Sequence, residues 1–103
     1  MSEQFPLRIT ALAARHIRQA ESWWRENRQA APNAVRIELQ RTFALIAFQP
    51  NIGSRATNTT LPGVRRIYLR SIKYHLYYHI IADPKCVEVV ALWHKSRGEG
   101  PPI

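Results

Sequence analysis

Arg65, Arg66, Arg70 and Lys73 stand close together in the second half of this chain, and His94 and Arg97 follow an apolar run further on. Cations gathered round a phosphate offset the negative charge that builds as a phosphodiester is attacked, and an imidazole can carry the proton that moves. Cleavage of RNA through its own 2′-hydroxyl would draw on this set, with Arg65, Arg66, Arg70 and Lys73 as cations and His94 or His75 as proton carrier. The same residues also suit tasks without chemistry. An Arg-rich strand face keeps a sheet edge soluble and unpaired, and a histidine directly after an apolar strand is often satisfied structurally.

Other chemistries find less support. His75 and His79 have a spacing that suits a metal on a helix, but in a strand four residues span about 13 Å, too far for one ion. Cys86 is the single cysteine, so it has no disulfide partner within the chain and offers one metal ligand at most. No Gly-rich phosphate loop, paired-cysteine zinc motif, H-E-x-x-H or G-x-S-x-G occurs, and neither a cofactor nor a metal is expected. Tyr68, Tyr74, Tyr77 and Tyr78 could stack nucleobases beside the arginines, although aromatic strands commonly serve packing alone. Trp23 and Trp24 face adjacent helix directions, which predicts that one packs inward while the other reaches the surface.

Charge says what kind of partner such residues would meet. Fifteen Lys and Arg against seven Asp and Glu give a formal charge of +8 and a pI near 10.6. A basic surface concentrates anions, so nucleic acid, an anionic surface or an acidic protein is the expected neighbour. The least charged apolar stretch, Thr42 to Ile52, is far short of the roughly 20 residues that cross a bilayer. Met1 to Leu7 has no basic segment leading into an apolar run, so a cytoplasmic location and no membrane contact are expected.

These residues need a scaffold, and 103 residues suffice for one domain with one core, spanning 1–103. Phe5 to Ile9 alternates like a short strand, with Pro6 near its start. Thr10 stands where an N-cap belongs, ahead of Ala11 to Ala30, which lacks Gly and Pro. Ala13, Ile17, Ala20 and Trp24 form its packing stripe, while Arg15, Arg18, Ser22, Arg25 and Gln29 form a wet one. Pro32 opens a second helix in which Val35, Leu39, Phe43 and Ile46 recur at helical spacing through Phe48. Pro50 and Gly53 end it, and Asn51 to Gly63 reads as a loop. From Val64 the period falls to two, predicting three consecutive antiparallel strands, with a turn at Asp83-Pro84-Lys85. In the last, alternation puts Val87, Val89, Ala91 and Trp93 on one face and Val90 and Leu92 on the other. Gly98 to Ile103 reads as an irregular end. The order β-α-α-β-β-β predicts an α+β domain with a helical hairpin packed on an antiparallel sheet.

In this order the segments become familiar. Pro50-Asn51-Ile52-Gly53 after the second helix resembles the P-x-x-G of ParE-like toxins. Gly63-Val64-Arg65-Arg66-Ile67-Tyr68 and Tyr74 to Ile80 resemble their G-x-R-x-x and Y-x-I-x-Y-x-V strands, and Val87 to Arg97 is similar to their closing strand and H-x-x-R tail. The resemblance implies the RelE/ParE-like fold and a toxin of a type II toxin–antitoxin system, with a role in growth arrest or plasmid stabilisation. It also implies a ParD-like antitoxin whose acidic, poorly structured segment folds over the toxin, and contact with operator DNA only through that antitoxin. RelE-like members cut messenger RNA on the ribosome, whereas characterised ParE members poison DNA gyrase. Lys95-Ser96-Arg97-Gly98 lacks the aromatic that several RNA-cutting relatives carry after the last strand, so gyrase inhibition without catalysis is the favoured expectation. On this reading Arg65, Arg66, Arg70, Lys73, His94 and Arg97 meet the target, and Arg15, Arg18, Trp23 and Arg25 meet the antitoxin. The competing expectations are a metal-independent endoribonuclease using Arg65, Arg70 and His94, and a non-toxic module that only regulates its own operon.

Overall fold

The computed structural model describes residues 4–103, so Met1 to Glu3, the start of the segment read for a leader, lie outside it. Helix α1 (Ala11–Asn27) begins where the sequence requires: the Thr10 hydroxyl accepts the Ala13 N–H at 3.1 Å and satisfies a donor the first turn leaves free. It stops short of the expected Ala30, because Arg28 departs from helical backbone and donates its N–H to the Trp24 carbonyl. Helix α2 (Ala34–Phe48) runs back beside it and ends at Gln49, ahead of Pro50.

Strand β1 (Leu7–Ile9) is shorter than expected, and a two-residue strand β2 (Ser54–Arg55) lies inside the segment read as a loop. Strands β3 (Arg65–Leu69), β4 (Tyr74–Ala82) and β5 (Lys85–His94) form the antiparallel meander foreseen from the alternation. The five-stranded sheet has the order β1-β5-β4-β3-β2, and β1 lies parallel to β5, which makes the sheet mixed. The parallel contact follows from connectivity. The helical hairpin and the meander bring the last strand back beside the first, so β5 becomes a central strand.

The helices cover one face. Ala13 and Ala20 of α1 and Val35, Leu39 and Ile46 of α2 pack against Leu69, Leu76, Tyr78, Val87, Val89 and Leu92. Each fully buried aliphatic side chain contributes roughly 1.5–3 kcal/mol through area removed from water. Thr42 takes the buried place beside Phe43, its hydroxyl donating to the Glu38 carbonyl at 2.8 Å. On the opposite face a smaller cluster joins Val64, Tyr77, Val90 and Ala91 to Ala56, Leu61, Trp93 and Ile103. The tail is therefore irregular but packed. The Thr60 N–H and hydroxyl both donate to the Ile103 carbonyl at 2.8 Å, and the Trp93 indole donates to the Glu99 carbonyl at 2.8 Å.

The expected division of β5 into two faces needs correction. Tyr77 pairs with Ala91 but Tyr78 pairs with Val89, so Val90 is an extra residue bulged out of the ladder. The bulge exchanges the faces of everything beyond it. Val87, Val89 and Leu92 point to the helices, while Val90, Ala91 and Trp93 point to the opposite side. His94 is thereby paired with Tyr74, level with the helix-side row.

Candidate functional site

The first local device is the turn that follows α2. The Tyr78 hydroxyl donates to the Pro50 carbonyl at 2.9 Å and accepts the Gly53 N–H at 2.8 Å. Burial pushes the Tyr78 phenol up from its ordinary value, with the Gly53 N–H and Arg65 acting in the other direction. Gly53 is required there, because a Cβ would stand 2.7 Å from the Tyr78 hydroxyl and 3.0 Å from the Arg66 carbonyl. Arg65 closes the same turn by donating to the Gly53 carbonyl at 2.7 Å and the Asn51 carbonyl at 3.3 Å. Its guanidinium therefore holds the P-x-x-G segment against the sheet.

This placement separates the residues of the nuclease expectation. Arg65 pairs with Tyr78, and Tyr78 with Val89, whereas His94 lies five positions further along β5. At about 3.3 Å per residue the two side chains belong to opposite ends of the sheet. Arg70 is exposed just past β3, at the His94 end. Arg66 lies on the face away from the helices, where Tyr68 and His75 stack with centroids 5.0 Å apart. Burial first, and Arg66 second, push His75 below the ordinary imidazole value. His79, on the same face, donates to Glu88 at 2.8 Å, and Arg8 reaches that carboxylate from β1 at 3.1 Å. The hydrogen bond from His79 is the largest cause holding Glu88 below the usual carboxylate range, with burial opposing it. His75 thus stacks on Tyr68 while His79 is bound to Glu88, and among the described residues no three His, Cys, Asp or Glu side chains gather as metal ligands.

What the fold does assemble lies where the end of α1 meets the β3–β4 turn and the end of β5. Trp23 and Trp24 near the end of α1 and Arg28 just past it, Ser71, Ile72 and Lys73 from the turn, Tyr74 at the start of β4, His94 at the end of β5, and Ser96 and Arg97 beyond it line a cleft of about 550 Å³. A neighbouring hollow of about 320 Å³ shares Trp23, Tyr74, His94 and Arg97. Three of the six residues expected to meet a target, Lys73, His94 and Arg97, thus share one site. Trp23, expected on the antitoxin side, shares it with them, while Arg15, Arg18 and Arg25 are exposed along α1.

Each wall has a local cause. Lys73 holds φ at 65°, a left-handed conformation that costs a residue with a side chain roughly 1 kcal/mol relative to glycine. The turn fixes it there: the Lys73 N–H donates to the Leu69 carbonyl at 2.8 Å, and its own carbonyl accepts the Lys95 N–H at 3.0 Å. Tyr74 and His94 meet edge to face with centroids 5.0 Å apart. Burial raises the Tyr74 phenol above its ordinary value against the opposing pull of Arg97, so the hydroxyl stays protonated near neutrality. His94 Nδ1 accepts the Ser96 N–H at 3.1 Å and lies 2.7 Å from the Ser96 hydroxyl. The neutral ring therefore carries its proton on Nε2. The Arg28 guanidinium lies 5.2 Å from the Trp23 ring centroid and 6.0 Å from that of Trp24, and Arg97 lies 4.1 Å from the Trp93 ring. Among the described residues no carboxylate lines the cleft.

Arg28 and the cleft-lining role of Trp24 were not foreseen. The i, i+4 spacing of Trp24 and Arg28 was the available signal, but the helix was expected to continue through Arg28. His16 was also missed: its Nδ1 accepts the Leu92 N–H at 3.3 Å, a β5 donor beyond the short reach of β1. Burial first, then Arg97 and Arg15, hold His16 below the ordinary imidazole value.

Comparison with known proteins accords with the architecture. The chromosomal ParDE toxin–antitoxin system of P. aeruginosa superposes with a TM-score of 0.70 at 16% identity, covering 88% of this chain and 96% of that one. A chain of the intact E. coli RelBE toxin–antitoxin complex gives 0.63 at 22% identity, covering 90% and 99%. The isolated E. coli RelE toxin gives 0.58 at 23% identity, covering 92% and 88%. These similarities carry the fold. Comparison with curated proteins gives no match. The family model for the ParE toxin of the type II toxin–antitoxin system parDE matches residues 7–98, most of the chain, which therefore belongs to the ParE toxin family.

Proposed function

We propose that the protein arrests growth by binding DNA gyrase, and that a ParD-like antitoxin with an acidic segment neutralises it. The observation that carries the reading is the composition of the cleft: cations and aromatic rings surround a single imidazole, and among the described residues no carboxylate lines it. Such a lining suits holding an anionic or acidic partner more than proton-transfer catalysis, which ordinarily uses an acid and a base in reach of the reacting atoms. Lys73, His94 and Arg97 form the centre of the target contact, with Arg66 and Arg70 as outlying members, while Arg65 holds the Pro50–Gly53 turn at the other end of the sheet. Arg15, Arg18, Trp23 and Arg25 offer the antitoxin an exposed basic helix with an aromatic anchor, the residue type that dominates protein interfaces. Family membership and the ParDE and RelBE complexes among the structural relatives support an antitoxin partner. Purified toxin freed from its antitoxin is expected to block supercoiling by gyrase or to accumulate cleavage complexes. No effect on either would remove the gyrase reading.

One observation favours the second reading, ribosome-dependent cleavage of messenger RNA. His94 shares the cleft with Tyr74, Lys73 and Arg97, and its Nδ1 accepts the Ser96 N–H, so its Nε2 side could carry a proton beside cations able to meet a phosphate. New messenger ends appearing at the onset of growth arrest, with gyrase unaffected, would select it.

A further inference from the structure

We infer that the cleft at the end of α1 is a binding site for single-stranded DNA, taking one unstacked base against the Trp23 indole and its phosphates on Lys73, Arg28 and Arg97. The inference deepens the gyrase reading by giving the toxin a contact with the DNA that gyrase handles. Four observations point the same way.

Trp23 keeps 45% of its surface exposed, although it forms an edge-on pair with Trp24 at 5.9 Å and lies under the Arg28 guanidinium. An aromatic surface held this way beside cations is what a nucleobase stacks on. The polar groups of the lining are mainly donors. Arg28, Lys73 and Arg97 only donate, and His94 presents Nε2–H. Phosphodiester oxygens and base carbonyls would meet these donors. A peptide would bring an N–H at nearly every residue to a wall with few side-chain acceptors, which favours nucleic acid over an acidic peptide. The volume of about 550 Å³ lies within the usual range for small-ligand sites and suits a nucleotide rather than a duplex. Finally, Lys73 occupies a left-handed turn position that glycine would fill without strain. A strained residue whose side chain lines the cleft is the pattern of a functional constraint.

The strain supplies the test. The whole chain, freed from antitoxin, is titrated with a short single-stranded DNA oligonucleotide while tryptophan fluorescence is followed, with matched RNA and poly-glutamate in parallel. DNA is expected to quench the indole emission and to bind more tightly than poly-glutamate. Trp23→Ala is expected to weaken binding about tenfold, as loss of one stacked base does. Lys73→Gly is expected to weaken it about tenfold and to flatten its salt dependence by about one phosphate, while the thermal midpoint holds or rises. Absence of DNA binding, a preference for RNA or poly-glutamate, or unaltered binding by both variants would overturn the inference. Gyrase inhibition without DNA binding would remove this inference alone, whereas DNA binding without gyrase inhibition would remove the gyrase reading alone.

Discussion

Tyr78 and Gly53 show how a short motif acquires a physical meaning. One phenol both donates to the Pro50 carbonyl and accepts from the Gly53 N–H, and Gly53 leaves no room for a side chain between them. Tyr78→Phe is expected to leave buried backbone groups unpaired and cost roughly 1–3 kcal/mol, seen as a lower urea midpoint at unchanged slope. An unaltered midpoint would show that the turn stands without the hydroxyl. His16 gives a pH signature. Its folded value is lowered while the unfolded chain titrates at 6.5, so its contribution is fully present above that value and is lost as pH falls through the lowered one. His75 acts in the same direction. Unfolding midpoints measured from about pH 7.5 down to about pH 5 should therefore decline, and His16→Gln should flatten the profile, since glutamine does not take up a proton there. Glu88 adds a separate loss at lower pH, below the ordinary carboxylate value of 4.5.

Helix α2 is apolar on two sides. Val35, Leu39 and Ile46 are buried against the sheet, while Ile37, Leu45 and Phe48 stay exposed. Ile46→Ala is expected to cost roughly 2–5 kcal/mol through a cavity that the packed sheet cannot close. The neighbouring Leu45→Ala should change stability by less than about 1 kcal/mol in the isolated toxin. Comparable losses at both positions in denaturant titrations would mean that the exposed side is covered. Val90 illustrates the limit of pattern reading in strands. Val-Val-Ala-Leu is apolar at every position, so alternation contains no mark of the extra residue, and only the pairing with Tyr77 and Tyr78 locates it. The consequence reaches the site, because the bulge sets His94 beside Tyr74 and sends Trp93 to the other face.

In the whole molecule the sheet is covered on one face by helices and partly covered on the other by loop and tail. Pro101 is buried, and Ile103 packs with Leu61 and Val64 over Tyr77 and Ala91. Removing residues 99–103 is expected to uncover this second cluster and lower stability by roughly 1–3 kcal/mol. Amide exchange should then quicken in the β4–β5 centre, and unchanged protection there would show that the tail only rests on the surface. The +8 charge also acts at this scale, concentrating anions around the protein before any one residue makes contact.

Local rules were enough for the two helices, the Thr10 cap, the meander and the family resemblance, because caps, helical spacing and strand alternation are written within a few residues. The basic character, and with it the expectation of an anionic neighbour, was also set by composition. The cleft was decided by tertiary structure alone. Arg28, Lys73 and His94 are remote in the chain, and they meet only because α1, the β3–β4 turn and the end of β5 reach the same end of the sheet. The same topology carried Arg65 away from His94 and gave it to the Pro50–Gly53 turn, a division that residue types and spacing do not encode.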